Sequence, residues 1–116
     1  MAPPVIPKID ELKNKVKKIQ QALEKARDTQ KRKEEEVLDA KNDLADAKEK
    51  REREKNETTF KDVTKKAKLR NAAEYDLVKA NDDVLNIEFE LLNTRTILEI
   101  AISEHGIKTH FSDSKK

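Results

Sequence analysis

Chemistry has few places to reside in this chain, and the first is His105 with His110 and Asp113. Imidazole and carboxylate are zinc-type donors, but they serve only when they converge on one ion at ~2.0–2.2 Å. The H-x4-H spacing is a weak signal for that, and Gly106 lies between the two rings. A histidine near the end of a helix has a simpler role, because its positive charge complements the carboxyl-end dipole. Carboxylates are the second place: Glu34-Glu35-Glu36, Asp82-Asp83 and the pair Glu88 and Glu90. General acid–base work needs such groups in a concave, partly dry pocket. No Gly-rich loop is available to cradle phosphate, since the chain holds one glycine. No Ser/His/Asp arrangement has a spacing that supports nucleophilic catalysis. The expectation is a protein that is not an enzyme and takes neither metal nor cofactor.

The elements that would have to position such groups point the same way. Asp, Glu, Lys and Arg make up 43% of the chain and apolar residues 34%, too few for a globular core but ordinary for a helical rod. Net charge is only +2, with both signs interspersed, which gives no electrostatic case for nucleic acid or an anionic membrane. Cysteine is absent, so neither a disulfide framework nor thiol chemistry arises. No apolar run is long enough to span a bilayer, and the N-terminus lacks the basic-then-apolar pattern of a secretory signal.

Residues 1–8 read as a Pro-rich linker, with Pro7 suited to the first turn of a helix. From Ile9 the apolar spacing alternates three and four. Ile9, Val16, Leu23, Gln30, Val37, Leu44 and Arg51 take heptad position a, and Leu12, Ile19, Ala26, Lys33, Ala40, Ala47 and Glu54 take d. A second seam runs Val63, Arg70, Leu77, Val84, Leu91, Leu98 at a and Lys66, Ala73, Ala80, Ile87, Thr94, Ala101 at d. These are coiled-coil seams. Between them Asp46 to Phe60 is almost wholly charged and polar. The reading is all-α, a long antiparallel two-helix coiled-coil hairpin: helix 9–55, tip 56–58, helix 59–105 and tail 106–116.

Thr59 with Asp62 forms a weak capping box for the second helix, and Gly106 with Ile107 suits a Schellman end. Folding between Thr58 and Thr59 sets Val37 opposite Ala80 and Leu44 opposite Ala73, large against small. The rival is one continuous helix in a parallel dimer, which would stack Arg51 on Arg51 and Lys66 on Lys66. Leu85 to Leu91 alternates with period two, as a strand would, but sits inside a helical pattern.

Two surfaces are candidates for partners. The tip offers Arg51, Arg53, Lys55, Asn56, Glu57, Thr58 and Phe60. The second helix carries an outer stripe, centred on Leu85, Phe89 and Leu92, which a two-helix hairpin cannot cover. The stripe suits a further element of a longer chain, a homodimer through helix 2, or a partner. The basic runs Lys13–Lys18 and Lys61–Arg70 could meet phosphate, but acids are interleaved with or near both and only Phe60 could stack on a base.

The stretch Lys31 to Lys50, with the Pro-rich entry Ala2-Pro-Pro-Val-Ile-Pro7, resembles the receptor-binding coiled-coil hairpin of colicin-type bacteriocins. The likeness is one of composition and architecture over roughly residues 5–107, and no short motif seals it. It implies a non-enzymatic, antimicrobial binding module whose tip, around Lys50–Val63, docks on an outer-membrane receptor of a target bacterium. It also implies an extracellular, released protein. The short tip departs from the longer irregular loop of some of those domains. The competing class is a structural or scaffolding coiled coil, cytoplasmic in that case, which assembles with protein partners through the outer stripe of helix 2.

Overall fold

The computed structural model describes the backbone of residues 5–114 and the side chains of residues 8–105. The protein is an all-α helical hairpin of two helices, α1 (Val5–Arg53) and α2 (Glu57–Ser114), with no strand among the described residues. Leu85 to Leu91 is helical throughout, so the local period of two yields to the heptad pattern around it.

Both helices bury the stripe that their heptads define. In α1 every a and d position from Ile9 to Arg51 is buried or half-buried, and in α2 the same holds from Val63 to Ala101. Glu54, expected at d, is exposed because α1 ends at Arg53 and Glu54 falls in the turn. The chain divides into two compact units. One comprises Met1–Glu24 with Leu85–Lys116, and the other, which contains the turn, is Lys25–Val84. In the first, Ile9, Ile19 and Leu23 of α1 are buried, as are Leu91, Thr94 and Ala101 of α2. Such aliphatic burial contributes roughly 1.5–3 kcal/mol for each large side chain. In the second unit, Val37, Leu44, Ala47, Ala80 and Val84 are buried, while Lys33, Lys66 and Arg70 occupy the seam half-buried. Long cations can do this because their methylene stems cover apolar surface while the charge stays in water.

The helix limits differ from the sequence-based ones at three points. Helix α1 starts at Val5, with Pro7 inside its first turn, where a missing N–H removes no helical bond. Helix α2 continues through Gly106, so the Schellman end does not form there. One glycine costs a helix ~1 kcal/mol, and no proline follows to stop it. The side chains of the tail 106–116, including His110 and Asp113, lie outside those described.

The third difference is the turn, which occupies Glu54–Asn56 instead of residues 56–58. The hairpin therefore folds about Lys55 and sets Val37 level with Ala73, not Ala80. The cross-helix hydrogen bond from Gln30 Nε2 to Asn81 Oδ1, at 2.7 Å, fits this register. Lys41 Nζ also reaches Glu74 across the helices, at 3.8 Å. A slip of one heptad keeps every a opposite a d, so the seam pattern alone cannot choose between the two registers.

Cross-linking distinguishes them. Val37→Cys with Ala73→Cys should oxidise readily to an intramolecular disulfide. Val37→Cys with Ala80→Cys should stay reduced, because position 80 is ~10 Å further along the axis at ~1.5 Å per residue. The reverse outcome would restore the register expected from large-to-small packing.

Candidate partner-binding site

The turn is a small polar lock made by two side chains. Asn56 is the N-cap of α2: its Oδ1 accepts the Thr59 N–H at 2.9 Å. Thr59 reciprocates, its hydroxyl accepting the Asn56 N–H at 3.2 Å and donating to the Glu54 carbonyl at 2.6 Å. This is a reciprocal capping box three residues earlier than the Thr59–Asp62 box, with threonine in the place usually held by Glu or Gln. Asn is at least as good an N-cap as Thr, and here it leaves the threonine hydroxyl for the end of α1. Thr59 is 5% exposed, among the most enclosed residues described.

Arg51 closes the lock from the α1 side. Its guanidinium donates to the Asn56 carbonyl at 3.1 Å and lies over the Phe60 ring at 4.9 Å from the centroid. The same Asn56 carbonyl accepts the Phe60 N–H, also at 3.1 Å, which opens the helical ladder of α2. The structure thus brings together three of the residues expected at the tip, Arg51, Asn56 and Phe60. Arg51 and Asn56 bond to the backbone of the turn, whereas Phe60 makes its contact through its ring and remains 56% exposed. Cation–π stacking of this partly exposed kind contributes ~0.5–1 kcal/mol and fixes the ring.

The other expected residues lie around this lock. Arg53 is exposed and approaches Glu49 at 3.9 Å, and Glu57 pairs with Lys61 at 3.4 Å. Lys55 and Thr58 are exposed. Pairs this open to solvent contribute little to stability. Beside Phe60, Lys61, Thr64, Lys65 and Lys68 line an open groove of about 320 Å³ on the outer face of α2. These lysines are not among the residues singled out at the tip. They belong to the basic run Lys61–Arg70, and their spacing sets them on one helix face, since residues three and four apart are neighbours there.

A crevice of about 210 Å³ lies between the helices near the turn, lined by Asp43, Asp46, Ala47, Lys50, Asp62 and Lys66. Its acids and bases are mixed, and it is open to water. No group of three or more His, Asp or Glu residues suited to a metal ion occurs among the described residues. None of the helices, as described, is long and apolar enough to cross a membrane.

The outer stripe stands as a separate surface in the unit that holds Leu85–Lys116. Leu85, Phe89 and Leu92 are exposed, Phe89 by 64%, and Ile97, Ile100 and Ile102 are exposed as well. Comparisons with protein-family models, with curated proteins and with solved structures returned no match.

The lock predicts a stability order. Asn56→Ala should lower stability by ~1 kcal/mol through loss of the cap. Thr59→Val should cost ~1–3 kcal/mol by stranding its partners. Thr58→Ala, on an exposed neighbour, should stay within ~0.5 kcal/mol of wild type. Thermal unfolding followed by circular dichroism checks the order, and equal effects at 58 and 59 would refute the lock.

Proposed function

We propose that the chain is a non-enzymatic binding module, the receptor-binding hairpin of a colicin-type bacteriocin, which docks by its tip on an outer-membrane receptor of a target bacterium. It then acts outside the cell that makes it. The observation that carries the reading is the braced tip: Phe60 is held by Arg51 on one side and stays largely exposed. An isolated exposed aromatic contributes little to folding, yet aromatic and arginine anchors dominate binding hot spots. The resemblance of Lys31 to Lys50 to colicin hairpins supplies the class of partner.

The test is saturable binding of the labelled protein to intact Gram-negative cells. Phe60→Ala with Arg53→Ala should weaken it by ~30-fold, the equivalent of ~2 kcal/mol, with helicity and melting nearly unchanged. Absence of saturable binding across a panel of enterobacteria would remove the bacteriocin reading. Parallel loss of melting and binding would make Phe60 only a staple for the start of α2.

A second reading is favoured by the exposed ridge Leu85, Phe89 and Leu92. In it the protein is a scaffolding coiled coil that assembles through the outer face of α2, with a second copy as one partner. Phe89→Lys with Leu92→Lys should then convert any dimer seen by sedimentation to monomer while helicity is kept. Monomer both before and after would leave self-assembly without support.

A further inference from the structure

The tip reading leaves open what chemistry the partner must present, and the first turns of α2 bear on that. We propose that Phe60, Lys61, Thr64, Lys65 and Lys68 form the contact face of the tip, and that its occupant is an acidic segment of a protein partner carrying an apolar side chain. The proposal rests on the tip being the docking end.

The face is built for such an occupant in three respects. First, the groove of about 320 Å³ has Phe60 at one end and lysines along its length. The Arg51 guanidinium over the Phe60 ring fixes the position of that aromatic. An apolar side chain could lie in the groove while carboxylates meet the ammonium groups at its margin.

Second, two of the three lysines on this face are not neutralised within the chain. Lys61 has Glu57 at 3.4 Å, but among the described residues no ion pair engages Lys65 or Lys68. Asp62, the one acid in the Lys61–Arg70 stretch, lines the crevice between the helices with Asp43 and Asp46. Lys61 with Lys65, and Lys65 with Lys68, are like-charged neighbours on one helix face, which weakens the helix. An acidic partner relieves that repulsion.

Third, the surroundings exclude a uniform polyanion. Glu49, Glu52, Glu54 and Glu57 surround the same turn and are exposed, so a phosphate backbone running over the tip would meet them. Successive bases need successive aromatic platforms, and Phe60 is the one aromatic in the groove. A local acidic segment seated at Lys65 and Lys68 stays clear of most of these acids. The lysine cluster Lys17 and Lys18, with Asn14 and Gln21, has no aromatic beside it and serves as the internal control.

The probe is a short fluorescent peptide of Glu and Leu, with a mixed-sequence single-stranded oligonucleotide as competitor class, both measured by anisotropy at low salt. The peptide should bind, and Lys65→Glu with Lys68→Glu should weaken binding about tenfold or more. Lys17→Glu with Lys18→Glu should leave it unchanged. The Lys65→Glu change sets an acid four residues after Lys61, so helicity should persist. Equal loss in both double variants, no peptide binding, or tighter binding of the oligonucleotide would overturn the proposal. Cell binding separates it from the tip reading. If Lys65→Glu with Lys68→Glu binds cells normally while Phe60→Ala with Arg53→Ala does not, the acidic partner falls and the tip stands. If both variants bind normally, the tip reading falls too.

Discussion

The reciprocal bonds between Asn56 and Thr59 decide where this chain turns, and the pairing of its helices follows. Thr59 takes one group from each side of the turn, the Glu54 carbonyl and the Asn56 N–H, while the Asn56 carboxamide takes the Thr59 N–H. Each bond satisfies a backbone group that a helix terminus would otherwise leave to water. With three residues between helices, little slack remains for one helix to slide along the other. The register set at Lys55 is therefore inherited along the seam of the turn-containing unit.

That inheritance explains a seam that looks poor by composition. Gln30 and Asn81 lie within hydrogen-bond distance across the helices, at 2.7 Å. A slip of one heptad would set Gln30 opposite Ile87 and strand a half-buried amide, at ~1–3 kcal/mol. Gains from packing large against small do not offset that readily. A polar residue at a single a position is a known way for coiled coils to fix register at some cost in stability. The half-buried Lys33, Lys66 and Arg70 belong to the same trade: their stems pack, and their charges remain wet.

The heptad seams were legible in the sequence, because burial follows a and d from Ile9 to Arg51 and from Val63 to Ala101, and fails only at Glu54, a d position that lies exposed in the turn. The turn was legible only to within a few residues. Heptad periodicity is unchanged by a slip of one repeat, so it carries no information about which a meets which d. The choice lay in local cap chemistry, where Asn56 and Thr59 act together and each alone looks ordinary. The tip was partly legible for a related reason. Arg51 occupies a seam position and reads as a contact group by its charge, yet it binds the Asn56 carbonyl and covers Phe60. The lysine face was obscured because charge was weighed along the chain, where Asp62 dilutes it, and not around the helix, where Asp62 faces elsewhere.

The two exposed apolar features differ in kind, and the difference bears on what each could meet. Phe60 is a single ring on a braced turn with lysines around it. The ridge of Leu85, Phe89 and Leu92 is continuous, and its unit offers nothing to match it on α1. Between Lys8 and Glu24 the exposed residues of α1 are charged or amide-bearing apart from Ala22. Within that unit, a second copy could meet the ridge only with its own ridge. The exposed acids of residues 85–104 are Glu90, Glu99 and Glu104, against a single Arg95. Pairing two such faces would gather like charges around the apolar contact, a penalty greatest at low ionic strength. A helix with an apolar face and basic flanks would bury the same ridge without that penalty, so electrostatics disfavours pairing of one ridge with another.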